Sequence, residues 1–283
     1  MTAFRTILVP FADPGCAGAL EATFRLFPAA HATALHVRID PTAAVPLVGE
    51  GMSGAMVEEM LNAAERQAAE RAQAARAAFD QVRARFGVTL QAAPPAAGPT
   101  ADWLEVAGRE EEAVAWRGRL HDLVVTGCPR EGAETPSLLT LNAALLESGR
   151  PLLLAPTTPP AGPASRIAVA WNGSAEAGRA IAAALPLLAT ASAVTVLTIT
   201  EDDRTRGVPA AELETYLAWH GVAAQFRTVT AGAQAGQVLL DECRGADLLV
   251  MGAYTHSRLR QMILGGVTRH VLQHAELPVL MSH

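Results

Sequence analysis

The chain has 283 residues, of which half are hydrophobic and 18% are charged. This balance predicts a folded chain with room for two domains and excludes an intrinsically disordered protein. The net charge of -6 offers no basic surface for nucleic acid, and no apolar stretch reaches the roughly 18 to 20 residues of a membrane-spanning helix.

The first elements along the chain alternate between apolar runs and alanine-rich amphipathic helices. Ile7–Val9 is predicted to be a first strand and not part of a signal peptide, because no cleavage-site pattern follows it. A helix over Gly18–Pro28 leads into a second strand over Ala32–Ile39. A long helix over Ser53–Phe86 then forms an insert, and the run Leu123–Thr126 forms a later strand.

The second half repeats this order, which is the observation that decides the fold. The matched segments are Arg5–Asp13 with Arg166–Ser174, Asp122–Gly127 with Asp247–Gly252, Arg150–Ala155 with Leu277–Ser282, and the helices Leu138–Ser148 with Gly266–His274. The stretch Pro156–Ser165 offers neither a hydrophobic period nor backbone donors for a sheet, so we predict that it is the linker between the two repeats. The sequence therefore predicts a tandem duplication, with one domain at residues 1–157 and another at residues 164–283.

The strands are short continuous apolar runs, such as Leu152–Ala155 and Leu248–Met251. Runs of this kind are buried on both faces, as in a parallel sheet that helices cover on both sides. We predict an α/β fold of two Rossmann-like domains, each a mostly parallel five-stranded sheet flanked by helices. Ligands in such folds bind beyond the carboxyl ends of the strands, where the chain leaves Ala170 and Met251.

One segment of the second half carries a candidate binding loop. A strand ends at Gly252, and the pair Gly265 and Gly266 opens a helix in which Thr268 adds a hydroxyl. Paired glycines let the backbone approach an anion, and the first N–H groups of the helix then point at it. Glycines that merely permit tight turns are the alternative.

With these motifs the chain resembles the universal stress proteins in their tandem form. The resemblance rests on Ile167–Ser174, on Asp247–Gly252 and on Gly265, Gly266 and Thr268 with the terminal Leu277–Leu280. It implies the adenine nucleotide alpha hydrolase-like fold in both domains. ATP-binding members carry Gly-x2-Gly-x9-Gly-[Ser/Thr], from which this chain departs by having Thr255 at the second position and Gly266 at the last. Asn172 stands where an acidic residue usually contacts the nucleoside.

The resemblance implies ATP or another adenine nucleotide such as AMP as the ligand of the second domain, with Mg²⁺ as an optional companion. The candidate contacts are Ala170, Trp171, Asn172, Gly252, Tyr254, His256, Arg258, Gly265, Gly266, Val267 and Thr268. The first domain lacks the double glycine before Leu138, and we expect it to be degenerate for nucleotide binding. The role implied is regulatory, in a stress response. The three scattered cysteines without CxxC spacing fit a reducing cytoplasm.

Two alternatives remain open at this point. A tandem stress protein without nucleotide would act as a protein interaction module, and an enzyme would at most hydrolyse nucleotide weakly, since no catalytic motif is found. For partners, the last strands near Leu152 and Val279 are expected to join the domains as an intramolecular pseudo-dimer. A homodimer and an unidentified protein partner are further expectations.

Ser174 is predicted to cap a helix, His270 and His274 to lie at a helix end and not on a metal, and the tryptophans to be core or interface residues.

Overall fold

The computed structural model describes residues 4–38, 54–91, 93–94, 98–129, 137–200, 210–231, 234–253 and 266–283. In the first half the elements are β1 (Thr6–Pro10), a 3-10 turn (Pro14–Cys16), α1 (Ala17–Leu26), β2 (His31–Arg38), α2 (Gly54–Arg85), β3 (Thr89–Leu90), β4 (Thr100–Ala107), α3 (Glu110–Gly118), β5 (Leu123–Gly127), α4 (Leu138–Leu146) and β6 (Leu152–Ala155). In the second half they are β7 (Arg166–Ala170), α5 (Ala175–Leu188), β8 (Ala193–Thr200), α6 (Ala210–Trp219), β9 (Gln225–Thr230), α7 (Ala235–Glu242), β10 (Leu248–Gly252), α8 (Gly266–His274) and β11 (Val279–Ser282). None of the described helices combines the length and the apolar character that crossing a bilayer requires.

The described strands form one sheet of eleven, in the order β3-β4-β2-β1-β5-β6-β11-β10-β7-β8-β9. Neighbours within each half are parallel, as the continuous apolar runs predict. The halves meet where β6 pairs antiparallel with β11, with Leu280 opposite Leu153. The second half has the five strands expected, whereas the first half gains the two-residue β3, which the sequence did not indicate.

Helices cover both faces of the sheet, because successive residues of each strand point to opposite sides. In β1, Ile7 and Val9 join the core under α1, α2, α5 and α6, whereas Leu8 joins the core under α3, α4, α7 and α8. Both cores run across the β6–β11 junction, since Leu280 belongs to the first and Met281 to the second. The molecule is therefore a three-layer sandwich.

An equivalent aspartate fastens the first strand of each half. The Asp122 carboxylate accepts hydrogen bonds from the backbone N–H groups of Arg5 (2.8 Å) and Thr6 (3.0 Å). The Asp247 carboxylate accepts from Ser165 (3.1 Å) and Arg166 (2.8 Å). Burial alone would raise the pKa of Asp247, but the Arg166 side chain and these N–H groups outweigh it and lower that pKa. The repeat read from the sequence thus extends to individual hydrogen bonds.

The tryptophans divide into two classes. Trp171 is buried, and Trp103 packs edge-on against Phe11 near α2. Trp116 and Trp219 instead expose 68% and 85% of their surface, which excludes the core for both and leaves the interface position as a prediction. Each lies near the carboxyl end of its helix, on the side away from the sheet. The position of a residue in the helical repeat decides where its side chain points, whether or not that side chain is apolar.

Candidate functional site

The carboxyl ends of β7 and β10 lie side by side, with Ala170 opposite Met251. From β7 the sheet continues through β8 to β9, and from β10 it continues in the other direction to β11. Strand order therefore reverses between β7 and β10, which is where doubly wound sheets open a crevice for ligands. The structure brings Ala170 and Gly252 together at this point, as the sequence predicts.

The turn after β7 is built by side chains that bond to their own backbone. The Oδ1 atom of Asn172 accepts from the N–H of Ser174 at 3.1 Å, and Gly173 adopts a positive φ of 73°. The Oγ atom of Ser174 accepts from the N–H of Ala177 at 3.1 Å, so Ser174 caps α5 as predicted. Asn172 is exposed. Its amide oxygen has a second lone pair, which a ribose hydroxyl can still use.

Trp171 has a structural role beside this turn. Its backbone N–H donates to the carbonyl oxygen of Leu197 at 2.9 Å, and the residue is 8% exposed. The first half does the same with Phe11, whose N–H donates to Leu35 at 2.7 Å. These bonds extend the pairing of the first two strands by one residue. Trp171 therefore keeps its ring in the core, and its backbone N–H is taken up by the sheet.

Gly252 is required by helix packing, a role that sequence reasoning missed. A Cβ atom at this position would lie 2.5 Å from the backbone nitrogen of Ala177 and 2.8 Å from the carbonyl carbon of Glu176. Both atoms belong to the first turn of α5. The glycine thus lets this turn lie directly against the end of β10, so the N-terminus of α5 lies beside the point where strand order reverses.

The first turn of α8 forms the other part of the site. A helix that joins two parallel strands runs antiparallel to them, so α8 begins at the carboxyl edge of β10. Gly266 is exposed, and a Cβ added there would meet no atom within 4 Å. Val267 is half-buried and Thr268 is 5% exposed. The N–H groups of a first helical turn lack partners within the helix and carry a partial positive charge. Gly266 is therefore the most open of the three candidate residues.

The remaining candidates of the binding loop, Tyr254, His256, Arg258 and Gly265, lie outside the described residues, as does Thr255. Around the crevice the structure thus places Ala170, Trp171, Asn172, Gly252 and the start of α8. The ends of β7 and β10 and the first turns of α5 and α8 set the positions of these residues.

A polar network that the sequence reasoning missed closes the same edge. Arg179 pairs with Glu176 at 2.9 Å, and its Nε donates to the backbone oxygen of His283 at 2.8 Å. The Nδ1 of His283 donates to the carbonyl of Ala253 at 3.2 Å. Burial would raise the pKa of Glu176, but its own backbone N–H and Arg179 lower it. The i,i+3 spacing of Glu176 and Arg179 is the signal that was available in the sequence.

The corresponding edge of the first half is more acidic. Asp13 accepts from the N–H of Gly15 at 2.7 Å, and Ser137 caps α4 by accepting from Thr140 at 3.0 Å. Glu110, at the start of α3, has its pKa raised by burial and by the neighbouring charges of Glu111 and Asp13. Carboxylates grouped in this way disfavour a phosphate, and the expectation that this half is degenerate for nucleotide binding stays a prediction.

The two histidines of α8 stack on each other with their ring centroids 4.2 Å apart. Burial and the neighbouring His274 lower the pKa of His270, and its Nε2 has no hydrogen-bond partner within the part of the chain that the structure describes. His270 packs over Gly236 of α7, where a Cβ would lie 2.7 Å from the His270 Cβ. Among the described residues there is no group of three or more side chains able to hold a metal ion. The pair serves to pack α7 against α8.

Comparison with known proteins identifies the family of the C-terminal part of the chain. Residues 163–283 match the model of the universal stress protein family. The C-terminal half of the chain belongs to the universal stress protein family. A universal stress protein from Archaeoglobus fulgidus superposes with a TM-score of 0.59 over 99% of this chain and 96% of its own, at 16% identity. This superposition covers both halves, so the whole chain has this α/β fold.

Two further structures are similar over part or all of the chain. A putative universal stress protein from Pseudomonas aeruginosa is 15% identical, with a TM-score of 0.49 over 99% of this chain and 93% of that chain. The universal stress protein UspA from Lactobacillus plantarum is 19% identical, with a TM-score of 0.33 over 41% of this chain and 94% of that chain. Among curated proteins, none matches the sequence.

Proposed function

We propose that the chain is a stress-response protein whose C-terminal universal stress domain binds an adenine nucleotide, ATP or AMP, between β7 and β10. One observation carries this proposal. The point where strand order reverses, marked by Ala170 opposite Met251, coincides with the start of α8 at an exposed Gly266. A crevice and a helix N-terminus together are the arrangement that favours a phosphorylated ligand.

The residues around the crevice fit such a ligand. The N–H groups of Gly266 and Val267 are available for phosphate oxygens, because a side chain is lacking at the first position and the helix dipole favours negative charge there. Ala170 and Asn172 lie at the end of β7, where a nucleoside would rest. Mg²⁺ would arrive with the phosphates, since it is held largely by phosphate oxygens and water in nucleotide sites.

In this proposal the bound nucleotide acts as a signal. A ligand shifts a protein toward whichever arrangement binds it more tightly. That arrangement would be read by a second copy of the chain or by another protein in the cytoplasm. The sequence has three cysteines without CxxC spacing, and among the described residues Cys16 and Cys243 carry free thiols, as a reducing compartment would leave them.

Isothermal titration with ATP, ADP and AMP tests the proposal, using Gly266→Asp beside its neutral isostere Gly266→Asn. Open space around Gly266 accommodates both side chains. The aspartate adds a negative charge at the phosphate position. At a separation of about 6 Å and an effective dielectric constant of about 20, the repulsion is about 3 kcal/mol, or roughly a 100-fold loss of affinity. The asparagine adds the same bulk without the charge, so we expect it to bind more tightly than the aspartate variant by about that factor.

The aspartate variant is also expected to fold normally, because an acidic residue at a helix N-terminus stabilises the helix by about 0.3–1 kcal/mol. Loss of binding with an unchanged or raised melting temperature thus separates ligand repulsion from misfolding. Equal affinities of the two variants would contradict the placement of phosphate at α8.

An interaction module without nucleotide is the second candidate. It is favoured by Asn172, which replaces the expected acid and whose Oδ1 already accepts from Ser174. Absence of any heat with the three nucleotides would leave this candidate and remove the first.

A further inference from the structure

Four arginines lie where three neighbouring strands of the first half begin. Arg5 precedes β1, Arg150 precedes β6, and Arg117 and Arg119 lie at the end of α3, which leads into β5. In the sheet β5 runs between β1 and β6, and neighbouring strands are about 4.8 Å apart. The guanidinium of Arg150 donates to the backbone oxygen of Arg119 at 2.7 Å. All four residues are exposed, and we call them the basic rim.

The basic rim lacks an acid that neutralises the same position in the second half. Within the part of the chain that the structure describes, none of its four side chains forms an ion pair. When the equivalent aspartates that fasten the first strands are aligned, Arg119 matches Arg244 and Trp116 matches Asp241. Arg244 pairs with Asp241 at 2.7 Å, whereas Arg119 lies over the ring of Trp116 at 4.7 Å. The first half thus has an aromatic ring where the second half has a carboxylate.

Two acidic residues next to the basic rim offset half of its charge. Asp122 directs its carboxylate to the backbone N–H groups of Arg5 and Thr6, and Arg150 acts on it electrostatically. Glu147, which follows α4, is exposed. Four arginines against these two carboxylates leave two positive charges uncompensated, in a chain whose net charge is -6. Charge complementarity therefore favours an anionic partner at this rim.

Two exposed apolar side chains lie among these charges. Arg119, the residue after α3, keeps a helical conformation with φ -57° and ψ -27°, and the N–H of Leu120 donates to the carbonyl of Arg117 at 3.2 Å. The helical path therefore continues to Leu120, which places Trp116 and Leu120 one turn apart. Trp116 is 68% exposed and Leu120 is 83% exposed. Arginines and large apolar side chains thus share one surface.

We propose that the basic rim, together with Trp116 and Leu120, binds the surface of an anionic lipid bilayer. Arginine binds the anionic headgroups, tryptophan is enriched at the level of the headgroups, and an apolar side chain beside them enters the acyl boundary. Single-stranded nucleic acid would use the arginines and the indole, but it offers Leu120 no apolar surroundings, and for this reason a bilayer is favoured. This inference does not depend on nucleotide binding.

The expected binding is weak and reversible. Each arginine near an anionic surface raises the affinity about fivefold, so four arginines correspond to half-saturation on the order of 1 mM lipid. The two carboxylates weaken this binding, and the two apolar side chains strengthen it. Because exposed charges are screened by salt, the affinity should fall as the ionic strength rises.

Flotation of the full chain with vesicles tests the proposal. Vesicles of phosphatidylcholine with about 30% phosphatidylserine should bind the protein, and vesicles of phosphatidylcholine alone should not. Raising NaCl from about 50 to about 500 mM should release the bound protein. Arg117→Ala and Arg119→Ala should each lower the affinity about fivefold, whereas Arg244→Ala, at the position matched to Arg119, should not change it. Melting temperatures like that of wild type show that the variants are folded.

Tryptophan fluorescence adds a measurement that is specific for contact with the acyl boundary. Vesicles with brominated acyl chains should quench part of the emission of wild type. Trp116→Phe should lose this quenching, whereas Trp219→Phe should keep it, although Trp219 is 85% exposed.

Three results would overturn the proposal: no binding to the anionic vesicles, an equal loss of affinity in Arg244→Ala and Arg119→Ala, or quenching that persists in Trp116→Phe. Binding of a single-stranded oligonucleotide or of polyglutamate without binding of vesicles would also overturn it, and would assign the basic rim to that class of partner.

Discussion

Replacing Gly252 by alanine tests how the crevice is built. The added Cβ would lie 2.5 Å from the backbone nitrogen of Ala177 and 2.8–2.9 Å from two atoms of Glu176. Two of these atoms belong to backbone, so no change of rotamer relieves the contact, and α5 must move away from β10. Overpacking of this kind costs about 1–3 kcal/mol, which for a domain of this size corresponds to a melting temperature lowered by about 3–10 °C.

Circular dichroism during heating measures this effect, and hydrogen exchange with mass spectrometry locates it in the peptides of α5 and β10. Two other glycines serve as controls, because a Cβ at Gly178 or at Gly266 meets nothing within 4 Å. Gly178→Ala, inside α5, should raise stability by about 0.5–1 kcal/mol. If Gly252→Ala melts like these controls, with unchanged exchange in α5, the packing role assigned to Gly252 is wrong.

The other two predictions concern the hydrogen bonds of Asp247 to the start of the second half and the contact between α7 and α8. Asp247→Asn should lower the free energy of unfolding by about 1 kcal/mol near neutral pH, because the carboxylate accepts two backbone N–H bonds and pairs with Arg166. Since folding lowers the pKa of Asp247 from 3.8, this stabilisation is complete above pH 3.8 and is lost as the pH falls through the folded pKa. Urea unfolding of wild type and variant at several pH values checks it, and a difference that persists unchanged at about pH 2 would contradict it. Gly236→Ala should destabilise the protein by about 1–3 kcal/mol, because the added Cβ would lie 2.7 Å from the Cβ of His270. The control Gly18→Ala, in the open part of α1, should not destabilise it. Thermal melts that rank the two variants in the reverse order would refute the assigned contact.

The architecture could be read from the sequence because its signals are local. Continuous apolar runs such as Leu152–Ala155 indicate strands buried on both faces, and their alternation with helices indicates parallel pairing. The repeat of Asp122 and Asp247 fixed the correspondence between the halves. The expected pairing of the last strands is also found, with Leu152 opposite Met281 and Leu154 opposite Val279.

Features that depend on contacts between distant residues were not predictable in this way. The sequence shows Gly252 as a candidate for approaching an anion, but only the folded chain shows that Ala177 fills that side. The sequence likewise does not decide between a core and an interface position for Trp116, because its exposure follows from the direction of α3 relative to the sheet. The two-residue strand β3 carries no apolar period, and both of its residues are exposed.

The antiparallel junction of β6 and β11 has a geometric consequence for the proposed nucleotide site. It turns the halves head to tail, so the rim where α3 and α4 end is on the same side of the sheet as the rim where α8 begins. Both groups of helices also cover the same face. A nucleotide at Gly266 would therefore approach the molecule at the edge of the sheet where α3 and α4 end, and from the face that these helices cover.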